Sequence, residues 1–252
     1  MAASFRLDGR CALVTGAGRG LGQAMAIALA EAGADVAGVY VTDIEETRAL
    51  IEGAGRRFTA IRQDLRDSAA ARRVVEQAAT TMGRLDILVN NAGIIRRADA
   101  IDFTEADWDD VIDVNLKSVF FLAQATARQF LAQGGGGKIV NIASVLSFQG
   151  GIRVAPYTAS KGGVLGLTRI LANEWAAKGI NVNAIAPGYM ATANTAPLRT
   201  DPSRNAAILG RIPAGRWGQP EDLAGAVVFL CSSASDYVHG SAIVVDGGWL
   251  AR

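Results

Sequence analysis

The chain has 252 residues, half of them apolar and 19% charged, which is too apolar for a long disordered polymer and enough for a sizeable core. Lys and Arg number 25 against 24 Asp and Glu, so a net charge of +1 offers no global field to draw in nucleic acid. Two cysteines, Cys11 and Cys231, make no disulfide framework and, with one histidine, no metal-ligand cluster.

Short runs rich in Val, Ile and Leu predict strands at Cys11–Thr15, Asp35–Tyr40, 57–61, 86–90, 138–142, 181–186 and Ala242–Val245. They are nearly continuous rather than alternating, as expected of parallel strands buried on both faces. Between them the pattern predicts helices over 21–32, 44–54, 68–82, 105–133, 157–178 and 221–231. Strand and helix in turn specify an α/β fold: a single Rossmann-type doubly wound parallel sheet of about seven strands with helices on both faces. Residues 1–252 then form one dinucleotide-binding and catalytic domain. A closed barrel competes at this length, but the first turn carries a glycine signature that favours the open sheet. No apolar window reaches membrane-span length, and the amino terminus lacks a signal-peptide core, so no membrane partner and a cytoplasmic location are expected.

After the first strand comes Thr15-Gly16-Ala17-Gly18-Arg19-Gly20-Leu21-Gly22. Absent side chains let backbone N–H groups approach a pyrophosphate, and the following helix presents its positive end. In NAD sites an acid near the end of the second strand binds the ribose hydroxyls. Here Tyr40 holds that position, and Asp43 falls about three residues late. No Lys or Arg follows to hold a 2′-phosphate, although Arg19 could supply charge, so NAD is expected, with NADP as the alternative. Asp64, after the third strand, suits the adenine amino group or, alternatively, a cap for the next helix. Asn115 interrupts a helical run where Asn is a poor helix former, and either a kink or a water-bridged contact to Lys161 would supply a reason. The segment 191–217, with Pro197, Pro202 and Pro213, reads as an insertion with short helices that closes as a lid.

Asn90-Asn91-Ala92-Gly93 ends the fourth strand, Ser144 follows the fifth, and Tyr157-Thr158-Ala159-Ser160-Lys161 opens the next long helix. Pro187-Gly188 follows the sixth strand. In this order, and with the glycine turn, the chain resembles a short-chain dehydrogenase/reductase over essentially its whole length. The resemblance implies Tyr157 as general acid/base, Lys161 as its electrostatic partner, Ser144 as the carbonyl-orienting hydroxyl and Asn115 as the fourth member. It implies dinucleotide contacts from Gly16, Arg19, Gly20, Leu21, Gly22, Tyr40, Asp64, Leu65, Asn91, Ala92, Gly93, Tyr157, Lys161, Pro187, Gly188, Met190 and Thr192. It also implies a homotetramer built on the helices 105–133 and 157–178, and the apolar Trp249 with the tail 250–252 is expected at a subunit contact. The chemistry is reasonable unaided: Tyr157 and Lys161 share a helix face, and a nearby ammonium lowers a phenol whose reference pKa is about 10.

The loops expected over the reacting carbon carry Arg96, Arg97, Gln149 and Arg153 among apolar residues. A guanidinium fork matches a carboxylate, which points to a small polar acid rather than a steroid or long acyl chain. Arg153 is assigned to the carboxylate, Gln149 to a hydroxyl, with Ser144, Tyr157 and Arg96 completing the substrate set. The local sequences around Arg96, Arg153, Tyr189 and the carboxyl terminus narrow the resemblance to the branch of the family acting on keto-deoxy sugar acids in breakdown of pectin or related uronates. The competing functions are an NADPH-dependent 3-oxoacyl-thioester reductase and a non-catalytic dinucleotide sensor. The presence of both Tyr157 and Lys161 argues against the sensor.

Overall fold

The computed structural model describes residues 4–67 and 69–252. Its strands are β1 (Cys11–Thr15), β2 (Asp35–Tyr40), β3 (Phe58–Arg62), β4 (Ile87–Asn90), β5 (Gly137–Ile142), β6 (Ile180–Pro187) and β7 (Ala242–Val245). They form one parallel sheet in the order β3-β2-β1-β4-β5-β6-β7. The chain runs outward from β1 to β3, then returns to lay β4 on the other side of β1. That reversal opens a crevice at the carboxyl ends of β1 and β4, where ligands bind in open α/β sheets.

The helices are α1 (Gly20–Glu31), α2 (Glu45–Gly53), α3 (Ala70–Met82), α4 (Glu105–Ile112), α5 (Ser118–Ala132), α6 (Ala155–Trp175), α7 (Ala196–Thr200), α8 (Pro202–Leu209) and α9 (Ala224–Cys231). The expected start of the third helix, at residue 68, lies outside the described residues. Because side chains alternate along a strand, each strand feeds two cores. Ala12 and Val14 of β1 face a cluster with Met25 and Leu29 of α1 and Val227 and Leu230 of α9. Cys11 and Leu13 face the opposite cluster, with Val74 of α3, Leu122 and Phe130 of α5 and Leu171 of α6. Both cysteines are buried.

Three expectations need correction. The outer strands β3 and β7 are only partly buried, because they lie at the sheet margins beyond the full cover of the helical layers. The run 105–133 is not one helix: a π-helical turn, Asp113–Lys117, separates α4 from α5 and contains Asn115. Such widened turns occur mostly at functional sites. Trp249 is buried within its own chain, packed with Trp217, Ile208, Ile212 and Val145, and the Arg211 guanidinium lies 3.9 Å from its ring centre. The segment 191–217 holds α7 and α8, anchored where Trp217 Nε1 donates to Asn205 Oδ1 at 2.7 Å.

The amino-terminal ends of the strands are clamped by charge. Asp86 is buried and accepts from Arg84 Nε at 2.8 Å, Arg10 Nη1 at 3.1 Å and the Cys11 amide at 3.0 Å. Burial pushes its carboxyl up, but those hydrogen bonds outweigh burial and hold it below the ordinary carboxylate range. Asp35 likewise binds Arg57 at 2.7 Å and Arg56 at 2.9 Å. Lys138 Nζ donates to Asp236 at 2.6 Å and Asn181 at 3.1 Å, and His239 Nε2 lies 3.2 Å from Asn181 Nδ2 at this same end.

Candidate active site

The glycine turn is braced from β4. Thr15 Oγ1 accepts from the amides of Asn91 and Ala92, each at 3.0 Å, and Asn91 Nδ2 donates to the Thr15 carbonyl at 2.9 Å. The Asn91 side chain therefore holds the turn in shape. Gly22 has no alternative: a Cβ there would collide with the Gly16 carbonyl and the Asn91 amide. Gly20 adopts φ +58, and the space above it is bounded by Thr192, 3.7 Å from where a Cβ would stand. Arg19 occupies the N-cap of α1 without a side-chain cap bond, and no acid lies in the first turn. A bare helix amino terminus behind a glycine cradle fits a pyrophosphate.

Further out, Tyr40 ends β2 half-exposed. Asp43 faces elsewhere: its Oδ1 accepts from the amides of Ile44 and Glu45 at the start of α2. The β2–β3 register sets Arg62 beside Tyr40, with Nε donating to the Val41 carbonyl at 3.2 Å. Arg62, on the neighbouring strand, comes to this position only through the register of β3 on β2. Asp64 is not a helix cap. It binds Arg66, whose side chain and amide lower its pKa, while Asp67 accepts from the Ala69 amide near the start of α3. Leu65 is buried beneath it.

Ser144, Tyr157, Lys161 and Asn115 converge at the carboxyl ends of β4 and β5. Ser144 caps a single 3₁₀ turn, Val145–Ser147, its Oγ accepting from the Leu146 amide at 3.1 Å. Ser147 Oγ, overlooked in the sequence, donates to the Lys161 carbonyl at 2.7 Å and so ties that turn to α6. Lys161 is buried, its Nζ donating to the Ile142 carbonyl at 2.6 Å and standing 5.6 Å from the Tyr157 ring centre. Asn115 Oδ1 accepts from the Ile94 amide at 2.8 Å, and its Nδ2 donates to the Ile94 carbonyl at 2.9 Å and to Ser160 Oγ at 3.3 Å. The asparagine thus reaches the β4–α4 loop and the helix of Tyr157, with no direct bond to Lys161 among the described residues.

Burial pushes the Lys161 ammonium down to about 8. Burial also raises the Tyr157 phenol, against the opposing pull of the Ser144 hydroxyl and the Arg97 charge. The sequence reading expected Lys161 to acidify the phenol. Instead burial raises the phenol, and the charge that opposes it is that of Arg97.

Ser144 and Tyr157 open on a cavity of about 480 Å³, with Lys161 and Asn115 behind them. Leu21 from the glycine turn, Pro187, Gly188, Met190 and Thr192 after β6, and Ser144 and Tyr157 all line it. Arg97, Arg153 and Arg204 line it too. Two predicted substrate contacts do not. Arg96 turns away to Asp110, 2.8 Å from its Nη2, and to Asp107 at 3.3 Å. Gln149 stands outside the cavity wall. Adjacent residues of a loop point in different directions, and the pair Arg96-Arg97 gave no signal for choosing between them. Arg97 Nη2 donates to the Asn194 carbonyl at 2.9 Å, linking the β4–α4 loop to the segment before α7.

Residues 16–250 match the family model described as enoyl-(acyl carrier protein) reductase. The chain is 61% identical to 2-dehydro-3-deoxy-D-gluconate 5-dehydrogenase of Dickeya dadantii over 249 residues, which is 99% of this chain and 98% of the relative. Among solved structures, it superposes with a TM-score of 0.94 and 61% identity on an Agrobacterium tumefaciens protein described as a candidate 2-deoxy-D-gluconate 3-dehydrogenase with bound NADP, covering 98% of this chain and 99% of that one. A gluconate 5-dehydrogenase from Burkholderia cenocepacia in complex with NADP and tartrate gives a TM-score of 0.93 at 42% identity, covering 99% of this chain and 98% of that one. No described helix is long and apolar enough to cross a membrane.

Proposed function

The chain belongs to the short-chain dehydrogenase/reductase family, and from that premise we propose that it interconverts a secondary hydroxyl and a ketone on a small deoxy sugar acid of the 2-dehydro-3-deoxy-D-gluconate or 2-deoxy-D-gluconate type. The names of its relatives support that substrate class. The observation that carries the reading is one cavity lined by Ser144 and Tyr157 together with Arg97 and Arg153. An apolar wall with a few convergent polar groups suits a small ligand, and the arginines suit its carboxylate.

A nicotinamide dinucleotide supplies the hydride acceptor or donor when bound. Gly16, Gly20, Gly22 and the amino end of α1, with Arg19 at its N-cap, would cradle its pyrophosphate, and Arg62 stands beside Tyr40 where a ribose would lie, with Asp43 engaged elsewhere. That charge accommodates a 2′-phosphate, so both NAD and NADP fit. Asp64 and Leu65 would bound the adenine, and Ala92 and Gly93 the inner face of the turn.

Ser144 Oγ and the Tyr157 phenol share one substrate oxygen. In oxidation, the phenolate takes the hydroxyl proton, and in reduction the phenol returns it. Lys161 provides a buried positive charge 5.6 Å from the phenol ring, which stabilises the phenolate once substrate has shut out water. Asn115 positions the Ile94 backbone and, through Ser160, the first turn of α6. The segment 191–217 closes over the substrate as a lid, within a single functional domain. The working particle is a homotetramer in the cytoplasm serving breakdown of pectin or related uronates. Exposed Trp108 on α4, Phe121 on α5 and Ile170 on α6 support the association.

A panel of D-gluconate, 2-deoxy-D-gluconate, 2-dehydro-3-deoxy-D-gluconate, D-sorbitol and a 3-oxoacyl thioester, each assayed with NAD(H) and NADP(H) in the direction its oxidation state allows, tests this reading. A deoxy sugar acid should give the highest kcat/KM. Preference for the thioester or the neutral polyol would replace it.

A further inference from the structure

Arg153 is the one non-glycine residue with positive φ among the described residues, at 62°. A long side chain rarely takes that conformation, and such strain persists mainly where the side chain has work at a site. Arg153 lines the cavity. Yet it already holds a carboxylate: Nε lies 3.0 Å from Asp99 Oδ1, on the loop between β4 and α4. Of the cavity's three arginines, Arg97 and Arg204 form no ion pair among the described residues.

The Asp99 contact has the marks of a place-holder. Its closest approach is at Nε, and no aligned hydrogen bond joins the two side chains, so the guanidinium is not locked to Asp99 and can turn to a bidentate carboxylate. Both side chains are well exposed, at 63% and 66%, so the pair contributes little and exchanges readily. Asp99 itself does not line the cavity, so giving up Arg153 would return it to water rather than trap its charge. We propose that Asp99 is an internal competitor for the carboxylate-binding guanidinium of Arg153, and that it sets the affinity of the site for acids without touching the reacting carbon. This rests on the sugar-acid reading above. Asp99 is then a specificity-determining residue: it taxes every acid that binds, and a neutral polyol is indifferent to it.

Calorimetric titration of D-gluconate, with D-sorbitol as the neutral control, tests this in the presence of reduced coenzyme, where no turnover occurs. Asp99→Asn should tighten gluconate about two- to fivefold, the span of an exposed ion pair, and leave sorbitol unchanged. Arg153→Gln should weaken gluconate by about tenfold or more, and adding Asp99→Asn to it should change nothing further. Unchanged or weaker gluconate binding in Asp99→Asn overturns the proposal, as does an equal shift for sorbitol or a failure of every variant to bind gluconate. The proposed function fails separately, with the competitor intact, where these affinities follow the expected order but the panel shows no oxidation of any sugar acid.

Discussion

The two ends of the sheet treat buried charge differently, although exposed arginines find carboxylates at both. At the amino-terminal ends, Asp86, Asp35 and Lys138 each meet partners of opposite sign, and these contacts join strands to the loops that enter them. At the carboxyl ends, Lys161 is buried against a carbonyl rather than a carboxylate, and Arg97 has only a backbone oxygen. Satisfied charge stabilises; charge left short of a counter-ion is available to a ligand. The comparison places stability and binding at opposite ends of one set of strands.

The sharpest break of that contrast is Tyr157→Phe. It should cost about 10²- to 10⁴-fold in kcat while coenzyme affinity and Tm stay put, measured by steady-state kinetics and coenzyme titration. Near-normal turnover would hand the proton to another group. Lys161 comes next. Its folded pKa of about 8 lies below the ordinary lysine value of 10.5, so the unfolded chain binds more protons between those values. Stability should therefore rise with pH across that window, by on the order of 3 kcal/mol from this group alone. The raised phenol of Tyr157 acts oppositely near the top of the window, because there the unfolded chain ionises first. In Lys161→Met the rise should vanish from urea midpoints taken across alkaline pH, and a persisting rise would assign it elsewhere.

At the other end, Asp86→Ala should lower the unfolding free energy by about 2–3 kcal/mol, because it strands a buried amide and frees two arginines. The kcat of the folded fraction should not move. A loss of kcat at unchanged stability would erase the division between the ends. The smallest effect separates neighbours: Arg97→Ala should raise KM for a sugar acid about tenfold, against less than about threefold for Arg96→Ala.

The sheet was legible because parallel strands buried on both faces are nearly continuous apolar runs, and β1 and β2 coincide with the ranges read from the sequence, as does the less buried β7. The glycine turn and the Tyr157–Lys161 pair were legible because backbone approach and helix spacing leave a local trace. What escaped is what local sequence cannot carry. Arg62 reaches Tyr40 only through cross-strand register, and Ser147 reaches α6 only because the β5–α6 loop folds back. Arg96 and Arg97 are identical in type and adjacent, and only the distant carboxylates Asp107 and Asp110 decide which one leaves the cavity.

The widened turn at Asp113–Lys117 has a consequence for how such a chain can change. A π turn accommodates one residue more than an α turn, so it behaves as a single-residue insertion absorbed locally. Deleting that residue would let α4 and α5 join into an unbroken rod. The same deletion would swing the Asn115 amide about 100° around the axis, away from Ile94. The bulge therefore trades regularity of a helix for the aim of one side chain, and a shorter sibling of this chain would have to anchor the β4–α4 loop by other means.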